Sequence, residues 1–106
     1  MSLEHVLNAT SVAVVGALKN ETKRGYQTIR TLLSETYEGD IYPVNPREQS
    51  ILGLKCYKKV SDIKSPVELA LIATPAKVVP AVLEDCGKKG VKGAVILAGG
   101  FGETGD

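Results

Sequence analysis

Residues 11–16 read SVAVVG, an uninterrupted run of small and β-branched residues closed by glycine. The run has no polar alternation, so neither face is suited to water, and it predicts a strand inside a parallel sheet covered on both sides. Two runs of the same kind follow, VELALIA at 67–73 and AVILA at 94–98, the latter expected as a fourth buried strand. Residues 40–45, DIYPVN, supply the remaining strand; Pro43 has no N–H for a ladder, which puts this strand near a sheet edge or ends its pairing early. Tyr26, Ile29, Leu32 and Leu33 recur at helical spacing and predict a helix over Gly25–Thr36. Thr74 and Pro75 suit a helix start, but Pro80 is awkward deep inside one. The regular helix is therefore expected from near Lys77–Val79, through Val82, Leu83 and Cys86, to a stop at Gly87 or Gly90. Leu3, Val6 and Leu7 predict a short helix within Ser2–Asn8, Ser61–Ile63 a single turn, and Pro46–Lys55, punctuated by Gly53, a turn plus a short extended piece in irregular structure. Strands and helices alternating in this order define an α/β domain: a doubly wound parallel sheet with right-handed crossovers, in three αβα layers.

Length and composition narrow the function classes. At 106 residues the chain holds one core of ordinary size. Its 13 basic and 12 acidic residues leave no global field to attract nucleic acid or an acidic membrane face. No apolar run approaches the roughly 20 residues that span a bilayer. The opening MSLEHVLN lacks the basic and apolar regions of a secretory signal, and two cysteines are too few for a disulfide scaffold, so the expectation is a cytoplasmic, reduced protein. Cys56 and Cys86, with no CxxC spacing, read as inert core thiols, and His5 as a surface histidine with no acid or nucleophile at a useful spacing.

In open parallel sheets of this Rossmann-like kind, ligands bind beyond the carboxyl ends of the strands. Four segments should converge there: Gly16–Gly25, Asn45–Arg47, Thr74–Lys77 and Gly99–Glu103. The first carries glycine at a strand-to-helix turn, where backbone N–H groups and a helix N-terminus can hold a phosphate, and Lys19, Lys23 and Arg24 add positive charge. The dinucleotide fingerprint GxGxxG is absent, because the glycine after Gly16 is Gly25. The strand over 40–45 ends in Asn45, Pro46 and Arg47, where an NAD site places an acid for the ribose hydroxyl. A basic residue suits a phosphorylated ribose instead, the chemistry of NADP and of coenzyme A.

The ordered series SVAVVGA, KRGY, YEGDIYPVNP, ILGLKCYKKVSDI, VELALIATPAKVVP and CGKKGVKGAVILAGGFGETG resembles the CoA-binding domain of the NDP-forming acyl-CoA synthetases. That family includes ADP-forming acetyl-CoA synthetase and is related to the succinyl-CoA synthetase α subunit; the likeness runs from Ser11 to Gly105. It implies that Gly16, Ala17 and Leu18 form the turn approaching the CoA phosphates, with Leu18 standing where serine is common. Lys23 and Gly25 match the start of the following helix. Asn45, Pro46 and Arg47 match the segment near the adenosine end. Ala73, Thr74, Pro75 and Lys77 resemble the proline turn that walls the CoA channel, with Thr74 replacing the more usual valine. Gly99, Gly100, Phe101, Gly102 and Glu103 resemble the loop that reaches toward the pantetheine, where Glu103 is either a carboxylate that orients a group delivered by a partner domain or a solvated loop carboxylate.

The resemblance implies coenzyme A as the ligand and the reaction acid + CoA + ATP ⇌ acyl-CoA + ADP + phosphate for the whole enzyme. Residues 1–106 would then be its CoA-binding domain and the N-terminal part of a longer synthetase chain. Other domains, or a partner ATP-grasp subunit in an oligomer, would carry the phosphoryl histidine and the nucleotide chemistry. A CoA-binding regulatory domain of a protein acetyltransferase, a stand-alone CoA-binding protein and an NADP-binding domain are the alternatives. On the synthetase reading the isolated chain is expected to bind without catalysing.

Overall fold

Every residue of the first strand is buried, and its four apolar side chains divide between two cores. A computed structural model of the protein describes residues 6–17 and 23–97. In chain order the elements are β1 (Ser11–Val15), α1 (Arg24–Ser34), β2 (Asp40–Val44), β3 (Ser50–Ile51), β4 (Leu54–Lys55), β5 (Leu69–Ile72), α2 (Val79–Lys89) and β6 (Gly93–Ile96). Val12 and Val14 pack with Ile29 and Leu32 of α1 and with Leu71; Ala13 and Val15 pack on the opposite side with Ile72 and with Val79 and Cys86 of α2. The sheet is therefore covered by a helix on each face, the predicted three layers. Burying one valine is worth about 1.5–3 kcal/mol, so three valines on a single strand make β1 the energetic centre of both cores.

The main sheet is parallel throughout, in the order β2-β1-β5-β6. The chain leaves β1 toward β2, then crosses back to β5 and continues outward to β6. Its direction of winding reverses between β1 and β5, which makes the carboxyl ends of those two strands the switch point of the fold. Val15 sits in register with both Val44 and Ile72 there.

Pro43 stands on the edge strand, as its missing N–H requires, and is fully buried. Its carbonyl accepts the Tyr57 N–H at 2.9 Å and Tyr57 accepts from the Asn45 N–H at 2.8 Å, so Tyr57 bridges to Val44 and covers the outer edge of β2. In an extended strand one residue's N–H and C=O point the same way, so the proline gap also faces outward and costs the ladder to β1 nothing. At the opposite edge the expectation of a buried strand over 94–98 is corrected. Among the described residues β6 pairs with β5 alone; Ala94 is exposed and Ile96 keeps 40% of its surface in solvent. An apolar run does not report whether a second neighbour flanks it.

Two stretches depart from the sequence reading because L residues occupy the left-handed region. The helix expected to reach Thr36 stops at Ser34: Thr36 has φ 55°, while the Tyr37 and Thr36 N–H groups bond back to the Leu32 and Leu33 carbonyls, closing the helix without glycine. The segment expected as a turn plus a short extended piece is more regular than that, a hairpin with β3 paired antiparallel with β4 through Leu52 (φ 52°) and Gly53 (φ 82°). Positive φ at both turn residues matches the twist of a tight hairpin, a turn that ordinarily advertises itself with Asn-Gly. The single turn expected near residue 61 is a 3-10 turn at Val60–Asp62. A second at Ala76–Val78 leads into α2, with Pro80 in the first helical turn, where its missing N–H is harmless, and Gly90 (φ 87°) after the last.

Polar groups staple the start of β1 to the approach of β5. The buried Ser11 hydroxyl donates to the Pro66 carbonyl at 3.0 Å and accepts the Glu68 N–H at 2.9 Å, while the Glu68 carboxylate accepts the Thr10 N–H and hydroxyl at 2.7 and 2.8 Å. The Thr10 N–H foremost, and then the hydroxyl, hold the Glu68 carboxyl below the ordinary carboxylate range. A depressed folded-state value contributes stability above the ordinary range and loses it as pH falls through the depressed value. Glu68→Gln is accordingly expected to flatten the acid-side decline in stability, read as urea midpoints collected from neutral pH downward. Leu52→Asn, which relieves a leucine held at positive φ, is expected to raise stability by about 1 kcal/mol in the same measurement.

Candidate functional site

The β1–α1 turn is built on two glycines that allow backbone to meet backbone. Gly16 has φ 92°, and a Cβ there would lie 3.0 Å from the Ala73 carbonyl carbon and 3.1 Å from Thr74 Cγ2. A Cβ on Gly25 would lie 2.7 Å from the Gly16 carbonyl oxygen and 2.8 Å from Ala17 Cα. Gly25 thus lets the start of α1 rest directly on the turn, and Gly16 lets the turn rest on the end of β5. The Gly16 and Ala17 N–H groups both point to the Val44 carbonyl, at 2.9 and 3.3 Å. This corrects one expectation: these two donors extend the sheet and do not face a ligand.

Beside this turn opens a cleft of about 380 Å³ on the α2 face of the sheet. Its floor is made by Val15, Gly16, Val44, Asn45 and Pro46 at the ends of β1 and β2, with Thr74 just past β5. Val78, Ala81 and Val82 form an apolar wall, while Lys58, Lys59, Lys88, Glu84 and Asp85 bring charge to it. Asp85 is engaged, its Oδ2 accepting the Ser61 N–H at 3.1 Å. The Thr74 hydroxyl oxygen is buried and has no hydrogen-bond partner among the described residues. An unpaired buried hydroxyl costs about 1–3 kcal/mol, which a polar ligand atom would recover.

The sequence-predicted residues divide clearly. Gly16, Asn45, Pro46 and Thr74 meet in the cleft. Ala17 is fully buried beneath the turn, Ala73 donates its N–H to the Val15 carbonyl at 2.8 Å, and Gly25 is packed against Gly16; these three shape the site from below. Lys23 is exposed just before α1, and Pro75 is exposed just before the 3-10 turn. Arg47 and Lys77 are exposed and lie outside the cleft lining. Asn45, nearly buried, accepts the Arg47 N–H on its side-chain oxygen at 2.7 Å and so sets the course of the chain leaving β2. Leu18, Lys19, Gly99, Gly100, Phe101, Gly102 and Glu103 lie outside the described residues, as does His5. Sequence reasoning missed Lys58 and Lys59, whose only signal is a pair of lysines after Tyr57; the bridge from Tyr57 to Val44 is what carries them to the strand ends.

Both cysteines are buried and unpaired. Burial pushes each thiol up from its ordinary value, and the Cys56 thiol donates to the Asn45 carbonyl at 3.7 Å. Protonated, buried thiols are poor nucleophiles, in keeping with a packing role.

A parallel sheet that reverses its winding at a glycine turn, with a cleft at that point, defines a Rossmann-like α/β domain, a class whose ligands bind at the strand ends. Comparison with known proteins narrows the class. The profile of the CoA binding domain family matches residues 10–104, and the chain belongs to that family. It is 49% identical over 104 residues to an ADP-forming acetate–CoA ligase of Methanocaldococcus jannaschii, covering 98% of this chain and 14% of that protein. It is also 49% identical to the α subunit of ADP-forming acetate–CoA ligase I of Pyrococcus furiosus, covering all of this chain and 24% of the subunit. Among solved structures, acetyl-coenzyme A synthetase 1 of Candidatus Korarchaeum cryptofilum, in complex with phosphate and ADP, superposes with a TM-score of 0.81 at 47% identity, over 88% of this chain and 20% of that one. The chain therefore spans less than a quarter of the curated relatives described. Among the described residues, no helix is long and apolar enough to cross a membrane.

The contact between the two glycines is open to a direct test. Gly25→Ala, which drives a Cβ into backbone, is expected to destabilise the domain by about 1–3 kcal/mol in urea unfolding.

Proposed function

We propose that this chain binds coenzyme A in the cleft at the ends of β1, β2 and β5, serving as the CoA-holding domain of an ADP-forming acyl-CoA synthetase. The observation that carries the reading is that Gly16, Asn45, Pro46 and Thr74, taken from three separate motifs of the synthetase-like series, line one cleft at the switch point. The chemistry of the lining fits such a ligand. Apolar side chains from the start of α2 offer a wall for an adenine or pantetheine chain, lysines offer charge for phosphates, and the Thr74 hydroxyl offers a hydrogen bond that no described residue makes. Gly16 and Gly25 clear the side-chain volume that would otherwise block close approach to the turn.

Coenzyme A supplies the thiol that becomes acylated; the chain's own residues hold and orient it. In the complete enzyme the reaction is acid + CoA + ATP ⇌ acyl-CoA + ADP + phosphate. Phosphoryl and acyl transfer belong to further domains or to an ATP-grasp subunit, in line with the greater length of the relatives and with the subunit naming of one of them. A synthetase parent is favoured over a protein acetyltransferase because the described relatives are ligases. Two unpaired buried thiols suit a reducing cytoplasm.

Calorimetric titration of the chain with CoA, dephospho-CoA, NAD and NADP in one buffer tests the reading. Saturable binding of CoA, weakened by added salt and absent for NAD, is the expected result. No binding of CoA, or NADP bound more tightly than CoA, would overturn it.

A further inference from the structure

We propose that Lys58 and Lys59 read the ribose phosphate of the ligand, selecting CoA over its dephosphorylated form; the assignment rests on the CoA reading above. In this class of sheet the substituent on the adenosine ribose is recognised beside the carboxyl end of the second strand. Sequence position alone nominates Arg47 for that task, since it follows β2 directly. In the folded chain Arg47 is exposed and stands outside the cleft lining, its backbone N–H held by the Asn45 side chain at 2.7 Å.

Two other cations occupy the place instead. Tyr57 forms a parallel bridge with Val44, the last residue of β2, so the residues that follow it emerge at the end of that strand. Val60, 1% exposed, anchors the chain again three residues after Tyr57. Lys58 and Lys59 are therefore a short exposed span pinned at both ends, and both line the cleft. Neither ammonium has a hydrogen-bond or ion-pair partner among the described residues.

The remaining charges of the cleft offset this pair only in part. Asp85 is engaged with the Ser61 N–H, and Glu84 lies one helical turn from Lys88, the spacing at which opposite charges on a helix offset one another. Lys58, Lys59 and Lys88 against Glu84 and Asp85 leave the cleft a net charge of +1, and the lysine pair beside the end of β2 is where a phosphate monoester would sit. Lysine suits this work as a mobile point charge that adjusts to a phosphate without demanding a planar fork.

The test is titration of the wild-type chain, Lys58→Gln/Lys59→Gln and Arg47→Gln with CoA and with dephospho-CoA. The double variant is expected to bind CoA about tenfold or more weakly, down to its affinity for dephospho-CoA, while dephospho-CoA binding stays within about twofold of wild type. Its melting temperature should be unchanged, both side chains being exposed, which separates a lost contact from a lost fold. A double variant that keeps the wild-type preference for CoA overturns the proposal, as does loss of that preference in Arg47→Gln alone. Wild-type chain that binds both ligands equally overturns the assignment while leaving the CoA reading intact. Wild-type chain that binds neither overturns the CoA reading and this assignment with it.

Discussion

β1 has no face for water. Val12 and Val14 belong to one core and Ala13 and Val15 to the other, so the strand is held only if a layer of side chains closes over each side of the sheet. That requirement places α1 on one face and α2 on the other, and it makes the chain pass β1 twice, once outward to β2 and once back to β5. The reversal leaves a crevice where the two crossovers part, at the carboxyl end of β1. The site is thus a by-product of covering a strand on both sides.

What turns the crevice into a usable cleft is close backbone contact. The start of α1 approaches the Gly16 carbonyl because Gly25 has no Cβ, and Gly16 in turn lies against the end of β5. The Val44 carbonyl takes the N–H groups of Gly16 and Ala17 and ties the turn to the neighbouring strand. With those donors committed, charge in the cleft comes from side chains, and from a segment remote from the turn in sequence. The edge strand contributes through the same economy of hydrogen bonds: Pro43 and Asn45 face outward, Tyr57 pairs with them, and lysines 58 and 59 arrive at the strand end as a consequence.

Much of the fold was legible because its signals are local and strong. An unbroken β-branched run has few ways to be satisfied other than burial on both faces, and Pro43 marks an edge because a missing N–H is a local fact. Pro80 and Gly90 delimit α2 for similarly local reasons. The failures share a cause as well. Thr36 and Leu52 adopt positive φ although neither residue type announces it, because the backbone hydrogen bonds that close the helix and the register of the hairpin require it. The openness of β6 depends on which strand lies beside it, and five apolar residues in a row carry no record of that.

The candidate site divides in the same manner. The sequence by itself determined the β-α alternation, the strand ends where a ligand would bind, and the motifs at Gly16, Asn45–Pro46 and Thr74 whose order resembles one family. Only the tertiary structure decided which side chains look into the cleft. It sent Arg47 to the outside through the turn set by Asn45, withdrew the Gly16 and Ala17 N–H groups into the sheet, and brought in Lys58 and Lys59 through a bridge between residues thirteen apart. The physical reason is that the direction of a side chain at a strand end is fixed by the hydrogen bonds its neighbours make across the chain, and those partners are chosen by the fold rather than by nearness in sequence.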